Sequence, residues 1–192
     1  MKIVCLGDSL TAGYKLLPEE RWVNILEKET SCSWINRGIS GDCSNGVLVR
    51  LHTEAFPERP DYVLMMCGFN DIMLTGSFDM AKASVMAMFH QCPSYGVKPV
   101  IGIPFPIKNI PEKYLPLCDP DRAKSCSLEY IAWLRKLVDI SALRCVDFAL
   151  AFEQAEREGR GELYQPDGMH PSALGSRLMA EQVKKSSWLQ LK

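Results

Sequence analysis

Unbroken apolar runs that end at or just before a glycine restrict most strongly what this 192-residue chain can fold into. Residues Ile3 to Leu6 are all apolar and precede Gly7, and Tyr62 to Met66 precede Cys67 and Gly68. Such strands are buried on both faces, because a strand with one face in water would alternate apolar and polar residues. The runs therefore predict central strands of a parallel sheet.

Helical patterns separate the predicted strands along the chain. Strands are predicted at Lys2 to Leu6, Ser33 to Asn36, Tyr62 to Met66, Val97 to Ile103 and Leu143 to Phe148. Helices are predicted at Glu19 to Glu29, Gly46 to Ala55, Phe78 to Gln91, Ser125 or Ser127 to Ile140, and Pro171 to Trp188. This alternation predicts one three-layer α/β/α domain over residues 1–192. Five prolines predict an irregular segment from Pro104 to Pro120.

Charge and cysteine usage narrow the function classes. The net charge is −1, from 22 basic and 23 acidic residues with no long run of one sign, so no nucleic-acid partner is expected. No segment approaches a membrane span, and the first apolar run is too short for a signal peptide. The eight cysteines form no CxxC pair, which predicts free thiols and a cytoplasmic location; they are residues 5, 32, 43, 67, 92, 118, 126 and 145.

Four short polar stretches are candidates for a site. They are Gly7-Asp8-Ser9-Leu10, Gly38-Ile39-Ser40-Gly41, Gly68-Phe69-Asn70-Asp71 and Asp167-Gly168-Met169-His170. The first three follow predicted strands, and ligands meet the carboxyl ends of strands in open α/β sheets. Each stretch alone also has a structural explanation, since Ser9 can cap a helix and the glycine-rich stretches can be turns.

Together the stretches hold what a serine nucleophile requires. A serine hydroxyl is weakly nucleophilic and needs a general base, a group that orients the base, and donors for the oxyanion. His170 follows a turn-forming pair that includes Asp167, so the carboxylate and the imidazole can meet across one turn. Asn70 offers two N–H donors. His52 and His90 lie in predicted helices and are interpreted as surface or packing residues.

In order and spacing, the four stretches resemble the SGNH hydrolases, also called the GDSL esterase/lipase family. The resemblance implies a flavodoxin-like five-stranded sheet with the order 2-1-3-4-5, and a site without metal or cofactor. It implies Ser9 as the nucleophile with Asp167 and His170 completing a triad. It also implies an oxyanion hole made by the N–H groups of Ser9 and Gly41 and the side chain of Asn70, with Gly38 lying close to Gly41.

The resemblance implies hydrolysis of small-molecule carboxylic esters through an acyl-enzyme. Local features, Gly13-Tyr14, Trp22 and Ile39-Ser40-Gly41-Asp42, are most similar to bacterial acyl esterases and to lysophospholipase- or thioesterase-like members. Two alternatives stay open: a carbohydrate O-acetyl esterase, and a non-catalytic flavodoxin-like binding module. Acyl chain length and oligomeric state are open as well.

The proline-rich segment is expected to overhang the site and to select acyl chains. Its apolar residues offer contact area for short to medium chains; they are Phe105, Ile107, Ile110, Tyr114, Leu115 and Leu117. Because the four polar stretches lie elsewhere, shortening Ile107 to Leu117 is expected to change chain-length selectivity and to spare turnover of acetyl esters.

Overall fold

The structure is a computed structural model that describes residues 1–189. Five parallel strands form its central sheet in the order β2-β1-β3-β4-β5, which confirms the expected order. The strands are β1 Lys2–Gly7, β2 Ser33–Gly38, β3 Tyr62–Met66, β4 Lys98–Ile103 and β5 Arg144–Asp147. Gly7 pairs in register with Gly38 on one side and with Met66 on the other. The carboxyl ends of β1, β2 and β3 therefore finish side by side.

Helices flank the sheet in a three-layer α/β arrangement. They are α1 Ser9–Ala12, α2 Trp22–Glu29, α3 Ser44–Arg50, α4 Phe69–Thr75, α5 Asp79–Gln91, α6 Pro120–Ser141, α7 Phe148–Arg157 and α8 Ala173–Lys184. A π-helical turn, Leu51–Ala55, continues α3, and short 3₁₀ turns occur at Pro18–Glu20, Phe56–Glu58, Cys92–Tyr95 and Glu112–Tyr114. Helix α8 packs on α2 and α7, whereas α3 packs on α5 and α4 packs on α6.

The core confirms the predicted burial of β1, of β3 and of the apolar face of α2. All residues of β3 are buried, as are the apolar residues of β1. The predicted apolar face of α2 is buried through Trp22, Ile25 and Leu26. The indole N–H of Trp22 donates to the carbonyl oxygen of Leu10 at 3.0 Å, so α2 also supports the short helix α1.

The predicted bounds of α6 and α8 are wrong, and α2 begins at Trp22 instead of Glu19, because Pro18–Glu20 forms a separate 3₁₀ turn. Helix α6 begins at Pro120, because the Asp119 carboxylate accepts the N–H groups of the first turn and proline is favoured as a first helical residue. Helix α8 spans Ala173–Lys184 instead of Pro171 to Trp188, because the Ser172 hydroxyl accepts the Gly175 N–H as the N-cap.

Two helices were not predicted. The stretch from Gly68 to Asp71 is not an isolated turn, because Gly68 adopts a φ of 114° and leads directly into α4. The connection from Asp147 to Gln165 contains α7, whose first turn is capped by the Asp147 carboxylate at 2.8 Å from the Leu150 nitrogen. Strand β5 consequently ends at Asp147, and Phe148 is the first residue of α7.

All eight cysteines are free, as predicted. Burial raises the pKa of the Cys5 and Cys67 thiols, and raises that of Cys92 to about 12, so these thiols stay protonated and pack as apolar side chains. Within residues 1–189, each helix is too short or too polar to cross a bilayer.

Candidate active site

Ser9 lies at the carboxyl end of β1, where the strand turns into α1. The N-cap of α1 is Asp8, whose carboxylate accepts the Leu10 N–H at 2.9 Å, and Ser9 is the first helical residue. A Cβ atom on Gly7 would lie 2.3 Å from the Met66 carbonyl oxygen, so only glycine permits this close approach to β3. The sequence thus places Ser9 at the carboxyl-terminal edge of the sheet, where the residue is buried.

A continuous chain of hydrogen bonds joins Ser9 to the last polar stretch of the sequence. The Ser9 Oγ lies 2.9 Å from Nε2 of His170. Nδ1 of the same ring lies 2.8 Å from Oδ2 of Asp167, so the carboxylate and the imidazole meet across one turn as predicted. With Nδ1 protonated toward Asp167, Nε2 is left as the acceptor for the serine hydroxyl.

The turn holds the Asp167 carboxylate in its charged form. Burial raises the pKa of this carboxyl, but the backbone N–H groups of Met169 and His170 and the His170 imidazole together lower it by more. Both backbone nitrogens lie 3.0 Å from Oδ1. The pKa of Asp167 is therefore below its ordinary value. An ionised carboxylate in this place favours a single orientation and tautomer of the ring.

Tyr14 contacts the imidazole of His170, and Gln165 holds the backbone on either side of it. Its ring lies 4.5 Å from the ring of Tyr14, centroid to centroid. The side-chain amide of Gln165 donates to the carbonyl oxygens of Tyr14 and Pro171 at 2.8 and 2.9 Å, and the Gln165 N–H donates to the His170 carbonyl at 2.8 Å. Gln165 thus ties the segment after α1 to the turn that carries the histidine.

Gly41 and Asn70 lie on either side of Ser9, at the ends of β2 and β3. Gly41 has a φ of 85°, and a Cβ there would meet no atom of residues 1–189 within 4 Å, so glycine is needed here for the backbone conformation and not for close packing. Gly38 differs, because its Cβ would lie 2.2 Å from the Ala12 nitrogen. The structure therefore assigns packing against α1 to Gly38 and leaves Gly41 facing the cleft.

The amide of Asn70 is oriented by the loop that carries Gly41. Its Nδ2 donates to the Asp42 carbonyl oxygen at 2.8 Å, which leaves a second N–H for the cleft. Across residues 1–189, neither the Ser9 N–H nor the Gly41 N–H donates to another group of the chain. These three groups belong to residues that line the same cleft, and they are the oxyanion donors that the family resemblance implies.

Sequence reasoning missed a buried polar network behind these donors. Arg50 binds the Asp42 carboxylate with two nitrogens, at 2.7 and 2.9 Å. Asp71 accepts the N–H and the hydroxyl of Ser44 at 2.9 and 2.7 Å, which fixes the start of α3. A signal was present: Arg50 occupies the same helical face as the buried residues Val47 and Leu51, and a charge on an apolar face needs partners.

Asp8 was also missed as a titratable group of the site. Burial raises the pKa of its carboxyl to about 7, the hydrogen bond from the Leu10 N–H lowers it, and the nearby carboxylates of Asp42 and Asp71 raise it. Only 2% of Asp8 is exposed. The carboxyl group next to Ser9 therefore titrates near neutral pH.

A cleft of about 380 Å³ opens above Ser9 and His170. Its remaining walls are mostly apolar; they are Leu10, Tyr14, Phe69, Met73, Leu74, Ile107, Tyr114, Leu117, Cys118 and Met169. The proline-rich segment overhangs the site, as predicted, through Ile107, Tyr114 and Leu117.

Three of the six apolar residues predicted to line the cleft do not. Phe105 and Ile110 are buried in the core, where Phe105 stacks on Phe152 at 4.0 Å, and Leu115 is exposed outside the cleft. Within residues 1–189, no group of three or more His, Cys, Asp and Glu side chains is arranged to hold a metal ion.

Comparisons with known proteins point to one family. Residues 5–178 match the model of the GDSL-like Lipase/Acylhydrolase family. A Vibrio mimicus arylesterase is 39% identical over 75 residues, covering 36% of this chain and 38% of that protein. Esterase TesA of Pseudomonas aeruginosa is 24% identical over 187 residues, covering 94% and 85%. The matched stretches span between 34% and 49% of the first curated relatives.

The fold is similar to solved structures over nearly the whole chain. A lipolytic protein of the G-D-S-L family from Veillonella parvula superposes with a TM-score of 0.81, at 22% identity, covering 96% of this chain and 97% of that one. The family model covers most of the chain, including all four polar stretches. The chain therefore belongs to the GDSL-like lipase/acylhydrolase family.

Proposed function

We propose that this protein is a serine hydrolase of carboxylic esters that works through an acyl-enzyme. The observation that carries the proposal is the hydrogen-bonded chain from Asp167 through His170 to Ser9, which ends in a largely apolar cleft. Membership of a family of lipases and acylhydrolases supports the same reaction. Each group has one role in it.

In the first half-reaction, Ser9 Oγ attacks the carbonyl carbon of the ester while Nε2 of His170 takes the hydroxyl proton. The carbonyl oxygen becomes an oxyanion, which accepts hydrogen bonds from the N–H groups of Ser9 and Gly41 and from the Asn70 amide. When the tetrahedral intermediate collapses, the C–O bond to the alcohol breaks and His170 returns the proton to the leaving alkoxide. The acyl group is then bound to Ser9.

In the second half-reaction, water replaces the alcohol. His170 takes a proton from the water as it attacks the acyl carbonyl, and the same donors stabilise the second oxyanion. When the second tetrahedral intermediate collapses, the bond between the acyl carbon and Ser9 Oγ breaks, His170 returns its proton to Oγ, and the carboxylic acid leaves. Asp167 remains ionised throughout and stabilises the imidazolium that forms in each half-reaction, which its lowered pKa favours.

The walls of the cleft favour an acyl chain over a sugar as the bound group. Apart from the polar groups beside Ser9, the side chains above it are aliphatic, aromatic or sulfur-containing; Met73, Ile107 and Tyr114 are examples. A sugar would need convergent polar side chains to replace its hydration, whereas a hydrocarbon chain gains free energy by burial here. We therefore keep carboxylic esters of short to medium chains as the proposed substrates and do not favour a carbohydrate O-acetyl esterase.

The experiment is a hydrolysis screen over p-nitrophenyl esters from acetyl to palmitoyl, with acyl-CoA thioesters and acetylated sugars alongside. Wild-type protein should hydrolyse the esters, and Ser9→Ala should not. Ser40→Ala is the matched control, because Ser40 also lines the cleft but, within residues 1–189, is not hydrogen-bonded to a histidine. Absence of turnover by the wild type would contradict the proposal and favour the non-catalytic binding module. The cytoplasmic location stays a prediction.

A further inference from the structure

Arg50 uses every donor of its guanidinium on acceptors in β1, in β2, in the loop after β2 and in the π-helical turn after α3. A guanidinium has five N–H groups. Nε and one N–H of Nη2 donate to the Asp42 carboxylate, and the other N–H of Nη2 donates to the Gly7 carbonyl oxygen at 2.8 Å. The two N–H groups of Nη1 donate to the Arg37 carbonyl at 2.6 Å and to the Glu54 carboxylate at 3.2 Å. The residue is 9% exposed.

Two of these acceptors, Gly7 and Asp42, belong to the chain segments that carry the proposed oxyanion donors. Gly7 ends β1, two residues before Ser9, and its carbonyl oxygen also accepts the Ile39 N–H at 3.0 Å. Asp42 follows Gly41 directly, and its carbonyl oxygen accepts the Asn70 amide at 2.8 Å. One side chain is therefore bonded to the segments before Ser9 and after Gly41, and through Asp42 it is connected to Asn70.

The loop that carries Asp42 has little room for a different position of the Asp42 carboxylate. A Cβ on Gly46 would lie 1.9 Å from Oδ1 of Asp42, so the carboxylate rests against the first turn of α3. Its other oxygen, Oδ2, receives both bonds from Arg50. Asp42 is thus clamped between a glycine of α3 and the guanidinium, and its backbone, which orients Asn70, is held with it.

We propose that Arg50 is a positioning residue that sets the geometry of the oxyanion hole, acting through Asp42 and Gly7 without contact with substrate. The inference rests on the proposed function. Oxyanion stabilisation depends on donors aimed where charge develops, and a small displacement of such donors costs much of the rate. Lysine cannot substitute, because three donors on one nitrogen cannot span acceptors that the planar five-donor group reaches together.

The central measurement is the kcat and KM of Arg50→Met and Arg50→Lys for a short acyl ester. Because the oxyanion exists only in the transition state and intermediate, the loss should fall on kcat, by about 10²-fold, with KM nearly unchanged. Arg50→Lys keeps the charge but not the planar group, so it should recover stability without recovering most of kcat. Urea unfolding of each variant, under the assay buffer, separates loss of folded protein from loss of rate.

A double-mutant cycle with Asn70→Ala tests the connection itself. If Arg50 acts on the oxyanion hole, then Arg50→Met should lower kcat much less in the Asn70→Ala background than in the wild type, because one donor that it orients is already gone. The proposal would be overturned if the kcat losses of the two single variants multiplied in the double variant. A loss of kcat in Arg50→Met that only equals its unfolded fraction would overturn it as well.

Arg135→Met is the matched control. Arg135 bonds Asp147 through two nitrogens at 2.7 and 3.2 Å and Glu153 at 3.3 Å, but it does not line the cleft. Its loss should lower stability and leave kcat unchanged. If Arg50→Met does not fold, then Asp42→Asn takes its place, because it weakens the same clamp and leaves the bonds to Gly7 and Arg37; unchanged kcat in Asp42→Asn would overturn the proposal.

The two proposals fail in different ways. Ester hydrolysis by Ser9→Ala would overturn the proposed function. Hydrolysis that depends on Ser9 but keeps its full kcat in folded Arg50→Met would leave that function standing and overturn the role of Arg50.

Discussion

The backbone N–H of Lys108 donates to the carbonyl oxygen of Gly168 at 2.9 Å, which joins the proline-rich segment to the turn that carries Asp167 and His170. The Asn109 N–H approaches the same oxygen at 3.4 Å. The segment therefore supports the turn in addition to walling the cleft. Shortening Ile107 to Leu117 would remove this support, so the expectation that such a deletion spares acetyl-ester turnover is revised.

Substitution of Gly168 by alanine should disturb this contact and slow catalysis. Gly168 has a φ of 67°, and its Cβ would lie 2.7 Å from the Asn109 nitrogen, so the turn and the segment must move apart. Displacement of the histidine by about 1 Å costs about 10²-fold in kcat. Gly159→Ala is the control, since Gly159 has a φ of 66° and open space around it. Equal kcat in both variants would contradict the coupling.

Chain-length selectivity should depend on individual side chains of the segment. Tyr114→Ala and Leu117→Ala should lower kcat/KM for the preferred chain length, since each methylene that loses its contact costs about 0.8 kcal/mol, nearly fourfold. Acetyl-ester turnover should stay close to that of the wild type. Leu115→Ala is the control, because Leu115 belongs to the same segment and is exposed outside the cleft. A profile altered equally by all three variants would show that the cleft does not bind the chain.

Asp8 should make the protein less stable as the pH rises toward neutrality. Its pKa is raised from 3.8 to about 7, so the folded state holds a proton that the unfolded state has lost in this range. The protonated carboxyl of Asp8 stabilises the folded state fully at a pH below the unfolded pKa. This stabilisation is lost as the pH rises through the folded pKa, at a cost of up to about 4 kcal/mol.

Asp8→Asn isolates the effect, because the amide oxygen can still accept the Leu10 N–H but does not titrate. Urea unfolding between about pH 4 and pH 8 should show that wild-type stability falls relative to Asp8→Asn as the pH rises. A difference that stays constant over the whole range would show that Asp8 keeps an ordinary pKa in the fold.

The last polar stretch should show two unequal losses. His170→Ala removes the base and should lower kcat by about 10⁶-fold, whereas Asp167→Ala removes only its orienting group and should cost about 10⁴-fold. His52→Ala is the control, because His52 does not line the cleft; its Nε2 lies 2.6 Å from Oε1 of Gln91. A larger loss in His52→Ala than in His170→Ala would overturn the assignment of the base.

Much of this fold and site could be predicted from the sequence, because the patterns that indicate them are local. Continuous apolar runs identified β1 and β3, and the order of polar stretches after strands placed Ser9, Gly41 and Asn70 at one edge. Asp167 and His170 lie three residues apart in one turn, so their contact could be predicted without the fold.

Other features depend on contacts between distant residues. The sequence indicates that Arg50 needs partners but not which ones, because they lie up to 43 residues away. Helix α4 was not predicted, because Gly68 suggests a turn. In the structure, glycine is required at position 68 because a Cβ there would lie 2.6 Å from the Tyr130 ring. Phe105 and Ile107 lie two residues apart in the same segment, yet Phe105 stacks on Phe152 in the core and Ile107 lines the cleft.

The most direct test of the central claim is covalent labelling of Ser9. A fluorophosphonate should react with the wild-type protein at one site, with loss of esterase activity in proportion to labelling, and peptide mass spectrometry should place the adduct on Ser9. Labelling should fall sharply in His170→Ala and disappear in Ser9→Ala. An adduct on a different serine, together with Ser9→Ala that still hydrolyses esters, would contradict the account.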